Sequence, residues 1–126
     1  MTDMQTYDVA IVGYGPVGAT AANLLGQRGL KVVVIERDPD IYFRARAIST
    51  DEEVVRIWQQ VGLADRLNAD MQPGAGATFV DADGVPFVKL LPIDRGNGHP
   101  PQQFIYQPAV DTVLREGVDR FPNVSI

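Results

Sequence analysis

The chain has 126 residues, a formal net charge of −5, no cysteine, and an ordinary globular balance of 45% hydrophobic and 21% charged residues. That length suits one compact domain. The composition excludes disulfides, cysteine-ligated metal and a cysteine nucleophile within these residues, and the absence of a basic tract argues against nucleic-acid binding. The opening Met1-Thr2-Asp3-Met4-Gln5-Thr6 has neither a basic nor an apolar region, so no signal peptide is expected. No apolar run approaches the roughly 20 residues needed to span a bilayer. A cytoplasmic protein with no membrane partner is expected, and a cysteine-free chain suits that reducing compartment.

In chain order, Tyr7–Val12 reads as an apolar strand running into Gly13-Tyr14-Gly15-Pro16-Val17-Gly18, a G-x-G-x-x-G turn. The spacing predicts a helix over Pro16–Arg28, with proline in its first turn and Gly29 as its cap. Lys31–Ile35 is a β-branched run, expected as a strand buried on both faces, and Glu36 closes it. Together these form a β-α-β unit with a pyrophosphate site at its turn. Gly13 permits the tight turn, Gly15 lets the backbone approach a diphosphate, and Gly18 lets the helix lie close to the strand. Pro16 and Val17 belong to the same turn, whose unpaired N–H groups and helix dipole favour an anion. Glu36 follows about 20 residues after the first glycine and is placed for the hydroxyls of an adenosine ribose. Its charge disfavours a 2′-phosphate, so FAD or NAD is preferred over NADP there.

Residues 37–48 read as a loop carrying Arg37, Arg44 and Arg46. Ser49 or Thr50 is expected to cap a helix over Glu52–Val61, with Val54, Val55, Ile57, Trp58 and Val61 on its apolar face and Gly62 ending it. Leu63–Asn68 is a short helix. Thr78–Val80 and Val85–Val88 read as a hairpin turned at Asp83-Gly84, with Pro86 marking an edge and Phe79 and Trp58 in the core. Residues 91–103 read as loop, Phe104–Tyr106 as a short strand, and Pro108–Arg120 as a helix with Val110, Val113, Leu114 and Val118 inward. Val124-Ser125-Ile126 reads as the first residues of a new strand, or as a short terminal one. His99 lacks a second ligand and Asp81 and Asp83 lack a third, so no metal site is expected.

The segments G-Y-G-P-V-G, V-V-V-I-E-R, R-A-I-S-T-D-E-E and F-I-Y-Q-P-A-V-D-x-x-L-R-E-G, in that order, resemble the single-component FAD-dependent aromatic hydroxylases, nearest to their 3-(3-hydroxyphenyl)propionate hydroxylase branch. The resemblance runs from Tyr7 to Val124. It implies a Rossmann-like α/β fold with an added β-hairpin region, FAD as cofactor, NADPH or NADH as reductant and a phenol hydroxylated with O₂. It also implies that Arg46 contacts the flavin side of the nucleotide and that Gln107 hydrogen-bonds the ribityl chain. Arg37, by its place after Glu36, is a candidate to flank the adenine or ribose, with a solvated cation as the alternative. Arg44 is a lesser candidate, and Arg115 is expected on a solvated helix face, the alternative being that it points back toward the diphosphate region.

Family members run to several hundred residues and carry two further motifs, an Asp-Gly pair and a Gly-Asp pair. Here Asp83-Gly84 reads as a turn and no Gly-Asp pair occurs. Residues 1–126 are therefore expected to be the N-terminal part of an FAD-binding domain, incomplete and by itself not a competent hydroxylase. No catalytic residue is assigned, and exposed sheet edges offer a route to a homo-oligomer. Alternatives left open are another NAD- or FAD-dependent oxidoreductase and a non-catalytic nucleotide-binding module.

Overall fold

A computed structural model describes residues 5–126; the reading made on Met1–Met4 lies outside the described residues. Strand β1 (Val9–Val12) leads through the glycine turn into helix α1 (Pro16–Gly26) and back to β2 (Val32–Ile35), parallel to β1 with Val9 opposite Val32. The helix ends where the sequence places its stop. The Leu30 N–H reaches the Leu25 carbonyl at 3.3 Å and Gly29 N–H the Gly26 carbonyl at 3.0 Å, with Gly29 at φ 77°. This is a Schellman closure, which needs a residue tolerant of left-handed backbone.

The chain then leaves this sheet. Strand β3 (Ser49–Asp51), helix α2 (Glu52–Gln60), helix α3 (Ala64–Asn68), strand β4 (Gln72–Pro73), the hairpin β5 (Ala77–Val80) and β6 (Pro86–Leu90), and strand β7 (Gln102–Phe104) follow. Helix α4 (Gln107–Val118) returns to β8 (Val124–Ser125), which pairs parallel to β2. The parallel sheet thus has the order β1-β2-β8, and β7 pairs antiparallel with β3 on one side and β4 on the other.

Helices α1 and α4 pack together over one face of the parallel sheet. Asn23 joins them: fully buried, its amide donates to the carbonyls of Ala19 and Leu114 at 2.8 Å each, and its Oδ1 accepts from Arg120 at 3.1 Å. Gly117 permits the approach, since a Cβ there would stand 2.7 Å from Leu63 and 2.8 Å from Asn23. The core runs through Val32, Val34, Val55, Trp58, Val110, Leu114 and Val118. Trp58 is buried as its periodicity predicts, and its indole N–H reaches the Thr20 hydroxyl at 3.0 Å.

Several expectations are corrected. Strand β2 is covered on one face only: Val32 and Val34 are buried, whereas Ile35 is 53% exposed and Val12 of β1 is 83% exposed. No element among the described residues lies over that second face. Ser49 and Thr50 do not cap α2; they enter the ladder opposite Phe104 and Gln103, and Asp51 caps instead, its Oδ1 accepting the Val54 N–H at 2.9 Å. Strand β7 begins at Gln102, two residues earlier than its apolar residues suggest. Phe79 is 49% exposed, because the β5–β6 ribbon has no layer packed on it. The hairpin turn itself forms as expected, with Asp81 Oδ1 accepting the N–H groups of Asp83 and Val85.

Candidate nucleotide-binding cleft

Gly13 ends β1 with φ 102°, a conformation that favours glycine, and its N–H bonds the Ile35 carbonyl at 2.8 Å. A Cβ at Gly18 would stand 2.0 Å from the Gly13 carbonyl oxygen, so α1 can leave the turn at this angle only with glycine at position 18. A Cβ on Gly13 or Gly15 would meet nothing within 4 Å; both face open space. Gly15 sits at the N-terminus of α1 with no side-chain cap, and the first helical bond runs from Ala19 N–H to the Gly15 carbonyl at 2.9 Å. The amides before it carry the positive end of the helix dipole toward that space.

Glu36 crosses back from the end of β2. Its Oε2 accepts the Tyr14 N–H at 2.7 Å and its Oε1 the Asp38 N–H at 3.0 Å. These bonds, Asp38 first and then Tyr14, hold its carboxyl below the usual carboxylate range. Each oxygen keeps further acceptor capacity for a sugar hydroxyl.

One cleft of about 450 Å³ brings together Gly13, Gly15, Pro16, Glu36, Arg37, Arg46 and Gln107. Val17 and Gly18 lie outside its wall: Val17 is 82% exposed beside an apolar groove formed with Thr20, Leu24, Ile57 and Trp58, and Gly18 is pressed against Gly13. Arg37 lies on the rim of the cleft, its side chain 91% exposed, and pairs with Asp38 at 3.4 Å. The Arg46 guanidinium stacks 5.2 Å from the Tyr42 ring, and Arg44 stacks on Phe43 away from the cleft.

Gln107 is buried, and its Oε1 accepts two loop amides, Arg46 N–H and Ala47 N–H, at 2.9 Å each. It therefore fastens the arginine loop to the first turn of α4. Its Nε2 faces Asp111 Oδ2 at 3.5 Å.

Sequence reasoning missed Asp111 as a cleft residue and favoured the wrong surroundings for Arg115. Arg115 is not on a solvated face: its Nε donates to the Tyr14 carbonyl at 2.9 Å and its guanidinium lies 4.6 Å over the Tyr14 ring. Asp111, one turn before it, is buried with Oδ1 unpartnered, and burial pushes its carboxyl up despite the opposing Gln107 bond and the Arg115 and Arg46 charges. The i, i+4 spacing of Gln107, Asp111 and Arg115 puts all three on one helix face, a signal available in the sequence. With Asp38 and Asp40 included, four carboxylates and three guanidiniums line the cleft. An anion there is met by backbone N–H groups and local arginines, not by surplus positive charge. No group of three or more metal-ligating side chains occurs among the described residues.

A parallel β-α-β unit with a glycine turn, an acid at the second strand end and room above the glycines defines a dinucleotide-binding protein. The FAD binding domain family matches residues 6–126, and the chain belongs to that family. It is 41% identical over 116 residues to a 3-(3-hydroxy-phenyl)propionate/3-hydroxycinnamic acid hydroxylase of Escherichia coli O157:H7, covering 92% of this chain and 21% of that protein. A protein of the same description from Paraburkholderia xenovorans is 42% identical over 119 residues, covering 94% and 19%. The chain thus spans about a fifth of the length of these curated relatives. Among solved structures, p-nitrophenol 4-monooxygenase PnpA from Pseudomonas putida superposes with a TM-score of 0.82 at 26% identity, covering 98% of this chain and 32% of that one. The flavin-dependent monooxygenase PieE, in complex with FAD and substrate, shares the fold with a TM-score of 0.77 at 24% identity, covering 99% and 24%.

The residues present fit FAD. The glycine turn offers space and amides for a diphosphate, Glu36 offers acceptors for a ribose, and the Arg46–Gln107 pair lies on the same cleft. Among the described residues no helix is long and apolar enough to cross a membrane.

Proposed function

We propose that this chain is the adenosine- and diphosphate-binding part of an FAD-dependent monooxygenase that hydroxylates a phenol bearing a propionate-type side chain. The observation that carries this is the convergence of the glycine turn, Glu36 and the Arg46–Gln107 pair on one cleft, in a chain about two-fifths identical to such hydroxylases. Bound FAD supplies the redox chemistry, reduced by NADH or NADPH and activating O₂.

The chain's own residues bind and orient. The α1 amides hold the diphosphate, aided by the helix dipole. Glu36 takes the adenosine ribose, and Arg37 flanks that end. Arg46, on the wall of the same cleft, would supply a planar guanidinium able to hold two acceptor oxygens of the cofactor. Gln107 keeps Arg46 in place through the loop backbone. Tyr14, whose hydroxyl is pushed up to about 12 by burial first and then by Asp119, stays neutral beneath Arg115. A cytoplasmic setting fits the cysteine-free composition, and the exposed β5–β6 ribbon offers an edge for self-association.

Titration of the purified chain with FAD, followed by visible absorption and flavin fluorescence, tests the binding reading. Saturable binding with a perturbed flavin spectrum is expected, and a colourless chain that leaves added FAD unchanged would sink it. Replacing the matched segment of the Escherichia coli relative with this chain tests the hydroxylase reading. Phenol-stimulated NAD(P)H oxidation should survive the exchange; a chimera that folds, binds FAD and shows no such stimulation counts against it.

A further inference from the structure

The loop that carries Arg46 hangs on one side-chain amide, and the orientation of that amide needs a reason. Gln107 Oε1 accepts two N–H groups at 2.9 Å each. Turned by 180°, the same side chain would set its NH₂ group against two donors and release residues 46 and 47. What faces the other end of the amide is Asp111 Oδ2, at 3.5 Å from Nε2. Asp111 is only 4% exposed, and its second oxygen has no partner. A buried carboxylate so poorly supplied destabilises the fold, so its presence needs an account other than stability.

We propose that Asp111 is the positioning residue of the cleft: as a pure acceptor beside Nε2, it fixes which way the Gln107 amide faces and thereby fastens the Arg46 loop. The effect is one of sign. A carboxylate offers no hydrogen to an amide nitrogen and repels an amide oxygen, so only one Gln107 rotamer survives. The chain of contacts runs Asp111, Gln107, the amides of Arg46 and Ala47, then the Arg46 guanidinium on the cleft wall. The consequence for cofactor affinity rests on the FAD reading given above; the fastening of the loop does not.

Reversal of the pair tests this. Gln107→Glu keeps an acceptor for the loop but sets two carboxylates face to face. Hydrogen exchange at the Arg46 and Ala47 amides should speed up about tenfold or more, the loss of roughly one charge-opposed hydrogen bond. The FAD Kd should weaken by a similar factor. Adding Asp111→Asn to Gln107→Glu supplies an NH₂ donor to the new carboxylate and should restore both readouts. Asp111→Ala alone should loosen the same two amides without lowering the melting temperature, because a buried carboxylate with one oxygen unpartnered and the other held only at 3.5 Å is removed. A residue that merely supports the fold would lower it. A double variant as impaired as Gln107→Glu, or an Asp111→Ala whose Arg46 and Ala47 amides exchange as in the wild type, overturns the proposal. If the amides respond as expected and the FAD Kd does not follow, the fastening stands and the role given to Arg46 at the cofactor falls.

Discussion

Glu36 is the residue through which a local pattern becomes a site. Sequence position put it at the end of β2; the structure adds that its two oxygens already hold the Tyr14 and Asp38 amides. These bonds favour the ionised form, so its carboxyl titrates below the ordinary value of 4.5. A lowered folded-state value means stability that is complete above the unfolded value and is lost as pH falls through the folded one. Glu36→Gln should therefore melt below the wild type at neutral pH, and the gap should close as the pH drops into the acid range. Melting temperatures across that range check it; a gap constant with pH would rule the linkage out. Gly13, Gly18 and Glu36 were legible because their partners lie within one β-α-β unit. Arg115 was not, since the carbonyl it binds lies 101 residues away in the chain, and a charged residue on a helix reads as solvated until the contact is known.

At the level of elements, the segment between β2 and α4 departs most from the pattern. Ser49 and Thr50 look like caps, and the alternative was invisible locally: β7 arrives from far along the chain, with Phe104 opposite Ser49 and Gln103 opposite Thr50, and draws them into a ladder. The cap passes to Asp51. Asp51→Ala should cost about 1 kcal/mol, the usual value of an N-cap, whereas Ser49→Ala, with no capping bond to lose, should stay within about 0.5 kcal/mol. Urea unfolding of the two variants separates the assignments, and equal losses would mean that Asp51 is not the cap. The apolar stripes of α2 and α4 were readable from 3.6-residue spacing, and Trp58, Val110 and Leu114 are buried accordingly. Phe79 was not, because alternation shows that a strand has an apolar face without showing that anything covers it.

Across the whole molecule, the two helices that carry the site are joined by Asn23 and Arg120. Asn23 is polar and wholly buried, and it is satisfied by two carbonyls and a guanidinium from three parts of the chain. Removing it takes from the Leu114 carbonyl a second donor and from Arg120 one of its acceptors, leaving the Arg120 guanidinium on the Val61 carbonyl at 2.8 Å. Asn23→Ala should destabilise by about 2–4 kcal/mol, the range for a buried polar group stripped of several bonds. Thermal or urea melts measure this. A loss under about 1 kcal/mol would mean that water replaces the amide. Nothing in the sequence around Asn23 sets it apart from a surface polar residue on α1, since both its remote partners come from beyond residue 113.

Tyr14, the variable residue between the first two glycines, has its amide taken by Glu36, its carbonyl by Arg115 and its ring by the Arg115 guanidinium. A glycine-flanked turn is ordinarily the most supple piece of a domain. Here its conformational entropy is surrendered during folding, before any ligand arrives. A nucleotide therefore meets a turn already ordered and loses little affinity to ordering it. Residue 14 is thus a hinge welded shut, and the rigidity of the glycine motif comes from the one position in it that the motif leaves unspecified.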